Sequence, residues 1–169
     1  MGAARPPAGG SNPTPNNSDL KDFNRAIALQ ATPDQMAWFR QLTKSTEAAR
    51  KAVQNLIPPA ENANQPESSR YSDLSDAVEE AQSNNQRFVR SFSTSQQSEL
   101  ATLIKKLSKA TTDVSKQSRG LAQELARSEI DRKKITSVVE KLDKALTGFQ
   151  TGQLDIGNEM GIQSEEHSQ

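Results

Sequence analysis

The sequence predicts an all-α fold of long antiparallel amphipathic helices, arranged as helical hairpins or a bundle with coiled-coil-like packing. Apolar residues make up 33% of the 169 residues and aromatic residues only 4%. This is little material for a thick globular core, whereas an amphipathic helix buries only one stripe. Apolar residues recur at three- and four-residue spacing, and the sequence has neither an alternating strand pattern nor an Asn-Gly or Asp-Gly hairpin signal.

The two ends of the chain differ in composition from its middle. Residues 1–17, MGAARPPAGGSNPTPNN, are rich in Pro, Gly, Ala and Asn and predict a disordered arm. Residues 163–169 form a polar tail, which leaves a single helical domain over residues 18–162. No apolar run approaches the roughly 18 residues of a membrane span. The first ten residues lack the hydrophobic stretch of a signal peptide, so the compartment stays open.

Five helices are predicted in order. Ser18 can cap a first short helix that carries Leu20, Phe23 and Ile27. The polar, proline-containing residues 58–70 separate the second helix from the third. The other predicted ranges are Pro33 to about Ile57, about Ser72 to Ser91, Thr94 to about Ala126, and about Glu129 to Gln150, with a bend or an end near Gly148.

Each of the longer helices carries a stripe of predicted core positions. In the second helix these are Phe39, Leu42, Ala49, Val53 and Leu56, and in the third Leu74, Val78, Ala81 and Phe88, with Phe92 just beyond. In the last two helices a seven-residue interval joins Leu100, Leu107, Val114 and Leu121, and likewise Ile135, Leu142, Phe149 and Ile156. A seven-residue interval favours left-handed, coiled-coil-like packing.

The segment Thr32-Pro33-Asp34-Gln35 has the composition of a helix start. Thr32 is a preferred N-cap residue, and proline at the first helical position loses no hydrogen bond. Gln35 lies three residues after the cap, where its side chain can reach back and close a capping box. Ser93 and Gln96 repeat this spacing without the proline, so two corners between helices are predicted.

The similarity of the two corners extends along the helices around them. At an offset of 61 residues, Thr32 aligns with Ser93 and Gln35 with Gln96. Apolar positions also align on both sides of the corner: Ile27 with Phe88, Ala31 with Phe92, Phe39 with Leu100, Leu42 with Leu103, Ala49 with Ala110 and Val53 with Val114. The pattern predicts an internal duplication of a helix–cap–helix unit, with copies at about residues 18–57 and 71–126.

The two Ser/Thr-x-x-Gln corners, in a helical chain with few aromatic residues and no cysteine, resemble the periplasmic LTXXQ-motif proteins. That family includes the Spy and CpxP envelope-stress proteins, whose helical hairpins form a curved dimeric cradle. The resemblance covers roughly residues 20–125, and both copies depart from the motif at its leucine, which is replaced by Ala31 and Phe92. It implies an extracytoplasmic protein that binds other proteins without ATP, and it leaves a homodimer open.

Composition and motifs argue against several other functions. The net charge is +0, whereas a general nucleic-acid-binding domain is expected to be basic. The chain has no cysteine, its one histidine, His167, lies in the polar tail, and neither a phosphate-binding loop nor a zinc motif occurs. We therefore predict a non-enzymatic protein without cofactor or metal.

Three aromatic residues leave a choice between core and partner binding. Trp38 is the only tryptophan and lies beside the apolar stripe of its helix, while Phe88 and Phe92 flank the second corner. Tryptophan is enriched at binding hot spots. The predicted function is a chaperone-like or adaptor role in the cell envelope. The alternatives are a self-associating structural helical protein and a surface-coating protein at a lipid or polymer interface.

Overall fold

The structure, a computed structural model, describes residues 17–56 and 67–162. Within these ranges the chain is entirely helical apart from its connections, which confirms the predicted all-α fold. The predicted disordered arm, except Asn17, and the polar tail lie outside the described residues. The helices are α1 (Asn17–Leu29), α2 (Pro33–Gln54), α3 (Glu67–Arg90), α4 (Thr94–Glu99), α5 (Ala101–Leu125) and α6 (Arg132–Glu159).

Four long helices form an antiparallel bundle. Helices α2 and α3 make one hairpin and α5 and α6 the other, and the hairpins meet chiefly through α2 and α6. Two fully buried polar side chains at that contact, Gln153 and Thr46, share a 2.9 Å hydrogen bond. The contact between α3 and α5 is much slighter, and α1 packs against α4 at one end. No helix in the described ranges combines the length and apolarity that a membrane crossing requires.

The predicted stripes form the core. Both seven-residue series are buried along their whole length, as are the central positions of α2 and α3. Three aromatic rings meet where the α2–α3 hairpin leads into the second corner. The ring centroids of Phe39 and Phe88 are 5.3 Å apart, and those of Phe88 and Phe92 are 5.0 Å apart. A narrow apolar seam shared by four helices therefore replaces the thick core that this composition could not supply.

Several helix boundaries differ from the prediction. Helix α1 already includes Asn17, so Ser18 lies inside its first turn rather than at the cap. Helix α3 begins at Glu67 instead of Ser72, directly after the last proline of the connecting segment. The predicted fourth helix is interrupted for one residue at Leu100, with φ −100° and ψ 8°. The backbone hydrogen bonds from Leu100 to Gln96 and from Ile104 to Leu100, both 2.8 Å, continue across this break.

The last helix is longer than predicted and does not end near Gly148. It continues to Glu159, and Gly161, with φ +74°, takes the left-handed conformation just beyond the helix end. Two of its glycines lie where another helix approaches closely. A Cβ at Gly152 would lie 3.2 Å from a methyl of Leu107, and one at Gly157 would collide with the ring of Phe39. Tertiary packing therefore outweighs the weak helix propensity of glycine.

Candidate binding surface

Both predicted corners are closed capping boxes. The Thr32 hydroxyl accepts a hydrogen bond from the Gln35 amide at 3.1 Å, and the Gln35 side-chain oxygen accepts one from the Thr32 amide at 3.0 Å. Ser93 and Gln96 make the same pair of bonds at 3.1 and 2.9 Å. Each box satisfies two backbone donors that a helix start otherwise leaves free.

The two boxes are also joined to each other. The side-chain nitrogen of Gln35 donates to the Gln96 side-chain oxygen at 2.9 Å, and the Gln96 nitrogen donates back to Gln35 at 3.0 Å. The same nitrogens donate to the carbonyls of Ser91 and Gln30, respectively, at 3.0 and 3.2 Å. Every donor and acceptor in this set has its counterpart 61 residues away, so the duplication is also a pseudo-twofold arrangement in space. The equal spacing is visible in the sequence, but this contact between the two glutamines is not.

The burial of these glutamines assigns them a structural role. Both side chains are almost inaccessible and both amides are fully engaged in hydrogen bonds within the protein. A buried polar network of this kind stabilises one arrangement of the helices but leaves no free group for a ligand. The corner residues Thr32, Gln35, Ser93 and Gln96 therefore position the helices.

Two of the three aromatic candidates for partner binding are core residues. Phe88 is completely buried between Phe39 and Phe92, and Phe92 is buried as well. Of the two alternatives that the sequence leaves open, core and partner binding, their burial favours the core, because these two side chains fill the junction of the second corner with the first hairpin. Trp38 is half-buried and packs against the core, which leaves part of its ring on the surface.

The first helix turns its large apolar side chains to the surface. Leu20, Phe23 and Ile27 are 46%, 64% and 56% exposed. At 3.6 residues per turn these three side chains lie within about 60° of arc, on one face of α1. Leu29 lies on the opposite side and is buried. We call the surface formed by Leu20, Phe23 and Ile27 the α1 apolar face.

Polar contacts hold α1 in this orientation. Arg25 pairs with Glu99 of α4 at 3.2 Å and with Glu159 at the end of α6 at 2.6 Å. The hydrogen bond that Arg25 donates to Glu159 raises the pKa of Arg25 above its ordinary value. These pairs are solvent-exposed and individually weak. The burial of Leu29 and Ala31 at the end of the helix adds an apolar anchor.

A second surface feature is the groove between α3 and α5. Two pairs of neutral polar side chains bridge it: Gln82 donates to Ser115 at 2.7 Å and Asn85 to Thr111 at 3.4 Å. The lining also includes apolar side chains and the charged residues Glu79 and Arg90. In the described part of the chain, no group of three or more His, Cys, Asp or Glu residues is placed to hold a metal ion.

No protein-family model matches the chain, and no curated protein or solved structure matches it. Two apolar features reach the surface, the α1 apolar face and the partly buried Trp38, and the α1 apolar face is the larger exposed feature of the two.

Proposed function

We propose that this protein binds other proteins, without catalysis and without ATP, and that the α1 apolar face is its main contact surface. The observation that carries the proposal is the orientation of α1, which turns Leu29 and Arg25 toward the bundle and its other large apolar side chains toward solvent. Single exposed apolar residues are normal on a protein surface, but three on one helical stripe suit a binding surface.

The energetics of such a surface suit reversible binding. Complete burial of a large apolar side chain is worth about 1.5–3 kcal/mol. The side chains of the α1 apolar face are already partly buried, so a partner gains less than that from each. Part of this gain is offset by the freedom lost on association. The face therefore fits transient contacts, either with the partly folded clients of a chaperone-like protein or with the partner that an adaptor protein binds. A chaperone-like role in the cell envelope, implied by the LTXXQ resemblance, is our specific proposal.

The test is light scattering of reduced insulin with and without an equimolar amount of the protein, in the absence of nucleotide. We expect the wild-type protein to slow aggregation and Phe23→Ser to lose at least half of that effect. Ile130→Ser is the matched control, since Ile130 is 52% exposed but lies in the loop before α6. Equal activity of Phe23→Ser and wild type would remove α1 from the proposal, and no effect of the wild type on several clients would remove the chaperone-like role.

Trp38 is tested in the same assay as a second contact. Its half-buried ring leaves surface for a client, while the rest of the side chain packs on the core. We expect Trp38→Ser to reduce the anti-aggregation effect by a larger fraction than it reduces helicity, measured by circular dichroism. A parallel loss of both would show that Trp38 is only a core residue.

The same face also favours a second function, in which the protein is a self-associating structural protein. Exposed apolar stripes on helices are the usual seams of coiled-coil oligomers. Sedimentation velocity distinguishes the two functions. A defined oligomer that Phe23→Glu converts to monomer supports the structural function, whereas a monomer that remains active in the scattering assay supports the binding function.

A further inference from the structure

The walls of the groove between α3 and α5 are basic, although the protein has no net charge. Residues 81–112 run from the middle of α3 through the second corner into α5, and they contain five basic residues and one acidic residue, Glu99. Glu99 is already paired with Arg25 of α1 at 3.2 Å. This part of the surface therefore attracts anions. Its basic residues are Arg87, Arg90, Lys105, Lys106 and Lys109.

Four of these five cations border the groove itself. Lys105, Lys106 and Lys109 line its wall on α5, and Arg90 lines its wall on α3. All four are exposed, and none forms an ion pair with a carboxylate of residues 17–56 or 67–162. Lys105 and Lys109 are one helical turn apart, so their ammonium groups belong to the same edge of the groove. Their positive charge is therefore available to a ligand.

An apolar floor adjoins these cations. Val89 of α3 and Ile104 of α5 are half-buried and line the groove throughout, and the buried side chain of Leu107 continues the floor. The part of the groove that the lysines border encloses about 1000 Å³. This volume is at the upper end of the about 300–1,000 Å³ that small-ligand sites enclose. Cations beside an apolar floor suit an anion that carries an apolar chain.

The ends of the groove limit the length of its ligand. Asn85 donates to Thr111 across the groove at 3.4 Å, and beyond it a second bond at 2.7 Å also joins α3 to α5. Glu79, whose carboxylate would repel an anion, lies beyond both bonds and about 16 Å along α3 from Arg90. On α5 the open part spans residues 101–108, which is about 10 Å of helix. A single alkyl chain fits this length, whereas a partner helix of several turns does not.

We propose that this part of the groove binds a fatty acid. The carboxylate lies between Lys105 and Lys109 on one wall and Arg90 on the other. The alkyl chain lies along Val89 and Ile104 and ends before the bonds that cross the groove. The inference goes beyond the proposed function, because the groove does not include α1 and its ligand is not a protein.

The experiment is isothermal titration calorimetry of the full chain with sodium decanoate, at concentrations at which decanoate is monomeric. We expect saturable binding of one decanoate per chain. Each buried CH₂ group strengthens binding by up to about fourfold, so octanoate, which is two CH₂ groups shorter, should bind about four- to sixteenfold more weakly. 1-Octanol has the chain length of octanoate without its charge, and it should bind at least threefold more weakly than octanoate.

Matched variants locate the site. Lys105→Gln/Lys109→Gln removes two cations of the groove and should weaken decanoate binding at least fivefold. Lys141→Gln/Lys144→Gln is the control, because it removes two exposed lysines of α6 and should leave binding unchanged. Ile104→Ala shortens the floor and should weaken binding at least twofold. Circular dichroism checks that each variant remains helical.

The contrary outcomes are distinct from those of the proposed function. Failure of the folded wild-type protein to bind decanoate would overturn the inference, even if phosphatidylglycerol vesicles bind, since a membrane surface would then be the partner. Equal weakening by the two double-lysine variants would overturn it too, because binding would then follow net charge. Unchanged binding in Ile104→Ala, or equal binding of 1-octanol and octanoate, would contradict the described site. Loss of decanoate binding in Phe23→Ser alone would place the ligand on the α1 apolar face. None of these results alters the anti-aggregation assay.

Discussion

At the scale of single residues, the side chains of Gln35 and Gln96 connect the two corners of the fold. Each amide closes its own capping box and bonds to the other, and both are buried. A buried amide left without partners costs about 1–3 kcal/mol, so these residues hold the corners in one relative position only while both are present.

Replacing one of these glutamines should cost more than replacing its cap residue. Thr32→Ala removes one capping bond and should lower the free energy of unfolding by about 1 kcal/mol. Gln35→Leu also leaves the Gln96 amide and the Ser91 carbonyl short of a partner, so we expect about 2–4 kcal/mol. Urea denaturation measures both values. A cost for Gln35→Leu no larger than that for Thr32→Ala would show that the link between the corners adds no stability.

Two glycines of α6 provide a matched pair of substitutions. Gly157→Ala places a methyl group against the ring of Phe39, and such overpacking typically costs about 1–3 kcal/mol. Gly148→Ala meets no atom within 4 Å and should raise the free energy of unfolding by up to about 1 kcal/mol, through helix propensity alone. Thermal denaturation of the two variants is the measurement. Stabilisation by both would mean that α6 does not pack closely on α2 at this point.

At the scale of helices, α1 shows what an amphipathic pattern can and cannot predict. The spacing of Leu20, Phe23 and Ile27 correctly predicts a helix with an apolar face, but it does not tell whether the bundle covers this face, which is in fact exposed. Periodicity identifies which side chains share a face. Which face turns inward depends on distant residues, here Glu99 and Glu159, whose approach to Arg25 no local pattern reveals.

The attachment of α1 depends on these charge pairs in a testable way. Arg25→Ala removes both contacts, which are exposed and worth about 1 kcal/mol or less each. We therefore expect faster amide hydrogen exchange in α1, with unchanged exchange in α2 and α6. Raising the salt concentration should have the same effect in the wild-type protein, since salt screens exposed pairs. Unchanged exchange in α1 would show that Leu29 and Ala31 alone hold the helix.

At the scale of the whole molecule, the sequence predicted the bundle well and the ends of its helices less well. The two seven-residue series and the two corners follow from spacing alone, and both are formed as predicted. The end of α6 could not be predicted in this way, because glycine by itself weakens a helix. Only the structure shows that the ring of Phe39, from another part of the chain, occupies the space that a side chain at Gly157 would need. For Phe88 and Phe92 the sequence left core and partner binding open, because the burial of a side chain depends on which helices meet.

The central claim, that α1 is where this protein contacts its partners, is tested most directly by site-specific photo-crosslinking. Benzoylphenylalanine is introduced at position 23 in one variant and at position 130 in the other, because both positions are more than half exposed. Each variant is irradiated with unfolding reduced insulin, and the adducts are measured by mass spectrometry. We predict abundant adducts from position 23 and few from position 130. Equal yields at the two positions, or adducts from position 130 alone, would contradict the claim.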